Sequence, residues 1–478
     1  MLGRALGEGD FQAPCVCADL CGVISIEPST SLSKRNVSVA MSSAPVHRPQ
    51  LIIGAGLAGL STAYHCPSAH VLEASDYVGG KARSEHIDGF TFDVTGHWLH
   101  LRDPEMRALV LSLCGEEHFV EVERLSRVWS HGVYTLYPFQ ANTYGLPPEV
   151  IKECVMGAIE ARANRPAELR VEEEPERFDE WVTLYFGEGI ARHFMIPYNA
   201  KLWGVEASEI TSRWCQRFVP RPQLEDIVAG AVGCHQQGMG YNAVFLYPKQ
   251  GGIQSVAEAL AEGVGRQRVS LESGVTSISP QAKLVTLSDG SQVSYEKLVS
   301  TMHLTRLIDL CGAEVPERAR EARARLRATD VAYLNVGVKG ALGQPDHWVY
   351  VPEERWPMYR VGSFSNALPA MAPEGHSSLY IELSDRETPP EALTPRVIEG
   401  LIEMGMIERA EQVLFAEPRH IPEAYVIYDE AYAESRATLH EWLAEQGILS
   451  TGRYGDWNYS SMEDALLNGR EAAAWLRS

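Results

Sequence analysis

No apolar run in the 478 residues approaches the ~18 that a membrane-spanning helix requires. Cations are also scarce. The 42 Lys and Arg stand against 63 Asp and Glu, a net charge of −21, and no basic tract breaks that balance. Nucleic acid is therefore not an expected partner, because phosphate backbones select a positive field, and no membrane partner is expected either. An anionic ligand would have to be held by a few inward-pointing arginines working against the global charge. The nine cysteines form no paired framework, and Cys15, Cys17 and Cys21 lack the nearby histidine or fourth cysteine that would complete a metal knot. No metal site is expected, and the cysteine usage fits a reducing cytoplasm. There are no internal repeats and no heptads, so an oligomer is neither indicated nor excluded. Residues 1–48 are Ser-rich and aperiodic, and lack the cationic start and apolar core of a secretory signal. They read as a disordered leader or a start-site artefact, with structure beginning near Pro49.

What the chain does have is Leu51-Ile-Ile-Gly54-Ala-Gly56-Leu-Ala58-Gly59-Leu60. Gln50–Ile53 reads as a buried parallel strand and Leu57–Tyr64 as the helix after it. Gly54 suits the tight turn, Gly56 the close approach of a pyrophosphate, and Gly59 the packing of helix on sheet. The phosphates would then sit at the helix N-terminus. The next strand, His70–Leu72, ends in Glu73, an acid suited to both hydroxyls of an adenosine ribose. Gly54 to Glu73 is short, which predicts a first helix truncated near Pro67.

Hydropathy patterning predicts an α/β chain that visits one Rossmann-like nucleotide domain three times, over residues 49–110, 245–305 and 440–478. Short strands are expected at Val269–Leu271, Val275–Ile278 and Leu284–Leu287, and a buried one at Lys297–Thr301. Ser461-Met462-Glu-Asp464 has the form of a capping box before a last helix, Ala465–Leu476. Residues 145–240 form a helical insertion. Residues 111–144 and 306–439 form an antiparallel sheet domain, with Ala332–Gly340, His347–Tyr359 and Ser377–Leu383 alternating in strand fashion.

After Glu73, the run Ala74-Ser-Asp-Tyr-Val-Gly79-Gly80-Lys81-Ala-Arg83-Ser84 resembles the GG-R-x-S/T segment of the FAD-binding amine oxidase and protoporphyrinogen oxidase superfamily. Two glycines there let the chain pass under a pyrophosphate, and Lys81 and Arg83 can neutralise it. Tyr137-Pro-Phe139-Gln140, Pro197-Tyr-Asn199-Ala-Lys201-Leu-Trp203-Gly204 and Gly452-Arg453-Tyr-Gly-Asp-Trp457 make the whole more specific. In that order and spacing, from about Leu51 to Leu476, the chain resembles the UDP-galactopyranose mutase family, nearer its eukaryotic form.

The resemblance implies a discontinuous FAD-binding domain with a helical insertion and an antiparallel sheet over the flavin. Val275 would contact the adenine. Ser461 and Met462 would bring the positive end of the last helix to the flavin pyrimidine, and Gly96-His97 would form the histidine loop against the ring. Tyr137, Phe139 and Gln140 supply the flat faces and the amide that a uracil needs. Phe194, Asn199, Trp203 and Asn242 match positions near the uridine or sugar. Arg360 and Arg453, with Tyr432 and Tyr459, would take the diphosphate, and Tyr359 is a further substrate-binding candidate. His97, Arg360 and Arg453 are the catalytic candidates. The activity implied is an isomerisation without net redox, in which a UDP-hexopyranose and a UDP-hexofuranose interconvert through an adduct on N5 of reduced FAD. NAD(P)H is the reductant the resemblance allows. Two departures stand out: Thr95 occupies a position where fungal members have glycine, and Ser460–Gly469 is closer to a bacterial mutase or amine oxidase ending. An amine or protoporphyrinogen-type oxidoreductase is the alternative.

Overall fold

The computed structural model describes residues 44–166, 170, 174–234 and 244–478. The expectation for the leader therefore lies largely outside the described residues. At its edge the first element already falls before Pro49, since Val46–His47 pairs in parallel with Gln292–Ser294.

A five-stranded, wholly parallel sheet carries the nucleotide end of the molecule. Its order is Val269–Ser270, His70–Leu72, Gln50–Ile53, Lys297–Ser300 and Ile448–Ser450. The three central strands are buried beyond their first residues, as parallel strands covered on both faces must be. Leu51, Ile52, Val71, Leu298 and Val299 have no exposure. The first helix, Leu57–His65, ends two residues before Pro67, in keeping with its short sequence spacing. It packs against the last helix, Met462–Arg477, and against Gln254–Val264. Gly59 makes the strand–helix contact possible, because a Cβ there would lie 1.9 Å from the Gly54 carbonyl oxygen.

A seven-stranded sheet forms the second layer. Its order is Val413–Val426, Ala328–Lys339, His376–Leu383, Met358–Gly362, Trp348–Tyr350, Ser126–Ser130 and Val133–Leu136. Two expectations need correction. The sheet is mixed rather than antiparallel throughout, since Trp348–Tyr350 runs parallel to Ser126–Ser130. The single strand expected over His347–Tyr359 is two strands with a connection between them. Pro352 and Pro357 lie in that connection and cannot donate to a ladder. Residues 306–439 also hold the helices Glu317–Arg325 and Pro390–Glu403 beside the strands. In the segment expected to be helical, Pro148–Asn164 packs against Phe178–Ile190, and Ile196–Trp203 follows after a π-helical turn.

Between the layers, the hairpin Ser84–Ile87/Phe90–Asp93 ends in a fully buried carboxylate. Asp93 accepts hydrogen bonds from Ser84 Oγ (2.6 Å), Tyr247 Oη (2.5 Å) and the Ile253 amide (3.1 Å). Burial pushes its carboxyl up to about 6, against the opposing pull of those three donors. The unfolded chain loses this proton near pH 3.8, well before the folded one does. Asp93 therefore withdraws stability as the pH rises from about 4 through 6. Urea unfolding of wild type and Asp93→Asn over pH 4–7 is expected to show the wild type losing roughly 2–3 kcal/mol relative to the variant across that window.

Candidate active site

One cavity of about 920 Å³ opens between the two layers. Its floor is the carboxyl edge of the parallel sheet, where open α/β sheets place their ligands. Gly54, Gly56, Ala58, Glu73, Ala74, Gly80, Lys81 and Arg83 line it, as do Gly96, His97, Val275, Ser461 and Met462. Glu73 is fixed in place, with Oε2 accepting from the Ala55 amide at 2.6 Å and Oε1 from the Ser75 amide at 2.9 Å. A Cβ on Gly56 would meet no protein atom nearer than 3.9 Å. Protein packing thus does not demand glycine at that point, whereas close approach of a ligand does. The helix that starts there has no side-chain cap, so its first amides are open to phosphate. Gly59 is the exception in this group: it packs beneath Gly54 and does not reach the cavity.

The lining inverts the charge of the molecule. Seven arginines and lysines face the cavity and Glu73 is the one carboxylate among the described residues there, while the whole chain carries −21. Burial, and next to it the charge of Arg83, lower the affinity of Lys81 for its proton. Arg83 stacks on Tyr77 at 5.0 Å.

The upper wall is aromatic. Tyr137 stacks on Tyr350 at 4.9 Å between ring centroids, and Tyr198 meets Tyr350 edge-on at 5.2 Å. Gln140 donates to the Pro220 carbonyl at 2.9 Å, and its buried Oε1 has no partner among the described residues. That unpaired acceptor belongs to a residue lining the same cavity as the stacked rings, a polar and aromatic combination that suits a planar base with an N–H edge. Phe194, Asn199 and Trp203 also line the cavity, and the Asn199 amide donates to the Met195 carbonyl at 2.7 Å.

Two arginines meet at one tyrosine. Arg360 Nη2 donates to Glu382 Oε2 at 2.5 Å and to Tyr425 Oη at 3.1 Å. Arg453 lies 5.4 Å from the Tyr425 ring centroid and 4.7 Å from that of Tyr459, and donates to the carbonyls of Ser460 (2.7 Å) and Ala424 (3.3 Å). Tyr425 and Tyr350 escaped the sequence reading. Strand alternation could have found Tyr350, which shares a face with Trp348 two residues earlier.

Three expected substrate residues stand elsewhere. Phe139 is fully buried in a 3₁₀ turn and stacks behind Phe194 at 5.0 Å. Tyr359 is fully buried beside Tyr198, with a 6.4 Å ring separation, and does not reach the cavity. Tyr432 donates to the Trp457 carbonyl at 2.7 Å, packs on Tyr428 at 4.7 Å, and does not line the cavity either. Asn242 lies outside the described residues.

A family model for flavin-containing amine oxidoreductases matches residues 57–476. The chain belongs to that family. A crystal structure of reduced UDP-galactopyranose mutase superposes with a TM-score of 0.82 at 28% identity, over 90% of this chain and 94% of the other. Cyclohexylamine oxidase from Brevibacterium oxydans shares the fold, at a TM-score of 0.66 and 16% identity, over 90% and 98% of the two chains. In sequence, coproporphyrinogen III oxidase of Mycobacterium bovis is 26% identical over 187 residues, 35% of this chain and 39% of that one. The chain thus spans about two fifths of the length of that curated relative. Family membership makes this a flavoenzyme of the FAD-binding amine oxidase and mutase fold. The bare Gly56, the anchored Glu73 and the open helix N-terminus fit such a dinucleotide. No helix among the described residues is long and apolar enough to cross a membrane.

His97 faces the cavity with a buried Nδ1 that makes no hydrogen bond among the described residues. Burial first, and then the charge of Arg453, hold its imidazole down near 4, so it is neutral at physiological pH. Thr95, two residues before it, sits at φ +58°, a conformation that a β-branched side chain resists. Relief of that strain outweighs the added freedom of glycine in the unfolded chain. Thr95→Gly is therefore expected to stabilise the holoprotein by roughly 1 kcal/mol, read as a rise in melting temperature at unchanged flavin absorbance.

Proposed function

We propose that this protein is an FAD-dependent isomerase that interconverts a UDP-hexopyranose and a UDP-hexofuranose. The observation that carries this reading is the convergence of Arg360 and Arg453 on Tyr425 inside the flavin cavity. Two guanidinium groups brought to one point suit a diphosphate that must leave the sugar and return to it. The aromatic wall of Tyr137 and Tyr350, with the open Gln140 oxygen, supports a uracil next to that diphosphate.

When bound and reduced, the flavin supplies a nucleophilic N5 toward the anomeric carbon of the sugar, with NAD(P)H as the proposed reductant. This chain's residues do the rest by position and charge. Gly56, Gly80 and the N-terminus of Leu57–His65 hold the cofactor's pyrophosphate, and Glu73 holds its ribose. Ser461 and Met462 present the start of the last helix to the pyrimidine edge, where its positive end favours negative charge. Arg360 and Arg453 stabilise the charge that develops on the departing diphosphate and keep it close enough to return. Tyr459 lies against Arg453 at the same point. Neutral His97 adds no positive charge to compete for the diphosphate, and acts as a hydrogen-bonding neighbour of the ring. The compartment proposed is the cytoplasm.

The test is to mix reduced, FAD-loaded protein with UDP-galactofuranose and follow UDP-galactopyranose by chromatography. Conversion is expected, with no consumption of oxygen coupled to it. Arg360→Ala and Arg453→Ala are each expected to lower kcat/KM by ~10²–10³ while retaining flavin absorbance. Oxygen consumption with an amine or a porphyrinogen, without sugar conversion, would sink the reading and favour the oxidase. From His97, the rate profile is expected to show no ionisation between pH 5 and 8.

A further inference from the structure

Lys201 lies in the motif Pro197–Gly204, yet it does not line the cavity. Its helix, Ile196–Trp203, gives Tyr198, Asn199 and Trp203 to the cavity wall, while Lys201 turns into the protein and is buried. No carboxylate among the described residues meets its ammonium. Nζ instead sits among four backbone carbonyls: Val351 (3.0 Å), Glu353 (2.8 Å), Trp356 (3.0 Å) and Met358 (2.6 Å). Three of them belong to the connection that the two prolines break out of the sheet, between Trp348–Tyr350 and Met358–Gly362, and the fourth, Met358, opens the second strand. That connection hangs between two residues of the site. Tyr350 and Arg360 are direct cross-strand partners, and the chain leaves the ladder immediately after Tyr350 and rejoins it just before Arg360. The same C-terminal end of the helix is also tied down by Arg386, which donates to the carbonyls of Lys201 (3.2 Å) and Leu202 (2.8 Å).

We propose that Lys201 is a positioning residue of the nucleotide site: its charged ammonium holds the 351–358 connection against the helix that carries Tyr198 and Asn199, and so sets the Tyr350 ring and the Arg360 guanidinium at the spacing a nucleoside diphosphate needs. This rests on the functional reading above. Only the protonated amine can donate to several carbonyls at once. The charged groups around it are Glu353 and Glu354 on the connection, which favour the ammonium, together with Arg355, paired to Glu353 and Glu403, and Arg386. Burial outweighs the two glutamates and brings the amine down to about 7, so its charge is present below neutrality and is lost as the pH rises through it.

The measurement is UDP affinity of the FAD-loaded holoenzyme, by fluorescence titration from pH 6.5 to 9, on wild type and Lys201→Met. Wild-type affinity is expected to fall across that range. The variant, at full flavin occupancy, is expected to bind UDP at least tenfold more weakly at pH 6.5, with a flat profile, KM raised in proportion and kcat within threefold. A variant that binds within twofold of wild type, with a parallel profile, overturns the proposal. Should Lys201→Met fail to yield holoprotein, Glu354→Gln decides, because Glu354 is exposed on the connection. Its loss of affinity is expected at lower pH than in wild type, and a superimposable profile overturns the role of Lys201. Wild-type holoenzyme that binds no UDP overturns the functional reading, and the role of Lys201 with it.

Discussion

Arg453 is a guanidinium at the cavity wall that no carboxylate among the described residues neutralises. Its partners among the described residues are two backbone carbonyls and the faces of Tyr425, Tyr454 and Tyr459. Carbonyl dipoles and ring quadrupoles orient a cation without cancelling its charge. The charge therefore remains available to an anion that enters the cavity. Arg360 differs. It is already paired with Glu382, which is completely buried, so it is rigid but partly spent. One arginine supplies geometry and the other supplies field, and Tyr425 touches both.

Holding unneutralised positive charge in a strongly acidic protein constrains everything next to it. His97 stays neutral because burial and Arg453 both oppose its protonation. The backbone that presents His97 is anchored at its base by Asp93, whose three donors tie together the hairpin, the strand Val244–Pro248 and the turn at Ile253. The strained Thr95 lies between that anchor and the histidine. Firm attachment on one side and strain on the other describe a loop held in place by its surroundings rather than by its own preferences.

The nucleotide half of the molecule was readable from local rules. A buried strand, a glycine turn, a helix and an acid at the next strand's end are short-range events, and the elements fall within about three residues of their expected positions. The last helix was readable for the same reason, since Ser461 caps Asp464 in its first turn. The substrate half was less legible, because its contacts are made across long separations. Nothing near Tyr425 in sequence signals that Arg360 and Arg453 will meet there. Tyr359 adjoins Arg360 in the chain, yet neighbours on a strand diverge, and only the arginine reaches the cavity. Phe139 and Tyr432 carry the right ring for the task, but side-chain chemistry alone does not separate a ring that faces the cavity from one that packs behind it.

A shared flavin platform does not choose the reaction, so the choice must lie in what the rest of the cavity wall accepts. An amine substrate approaches as an ammonium, and among the described residues seven cations against one carboxylate line the cavity and repel that charge. A tetrapyrrole acid is not excluded by charge. Its carboxylates, however, are spread around the rim of a macrocycle and call for cations that are also spread. Here two guanidiniums share one tyrosine at the edge of a stacked aromatic pair. Charge concentrated at a point and a flat slot beside it are the demands of a nucleoside diphosphate.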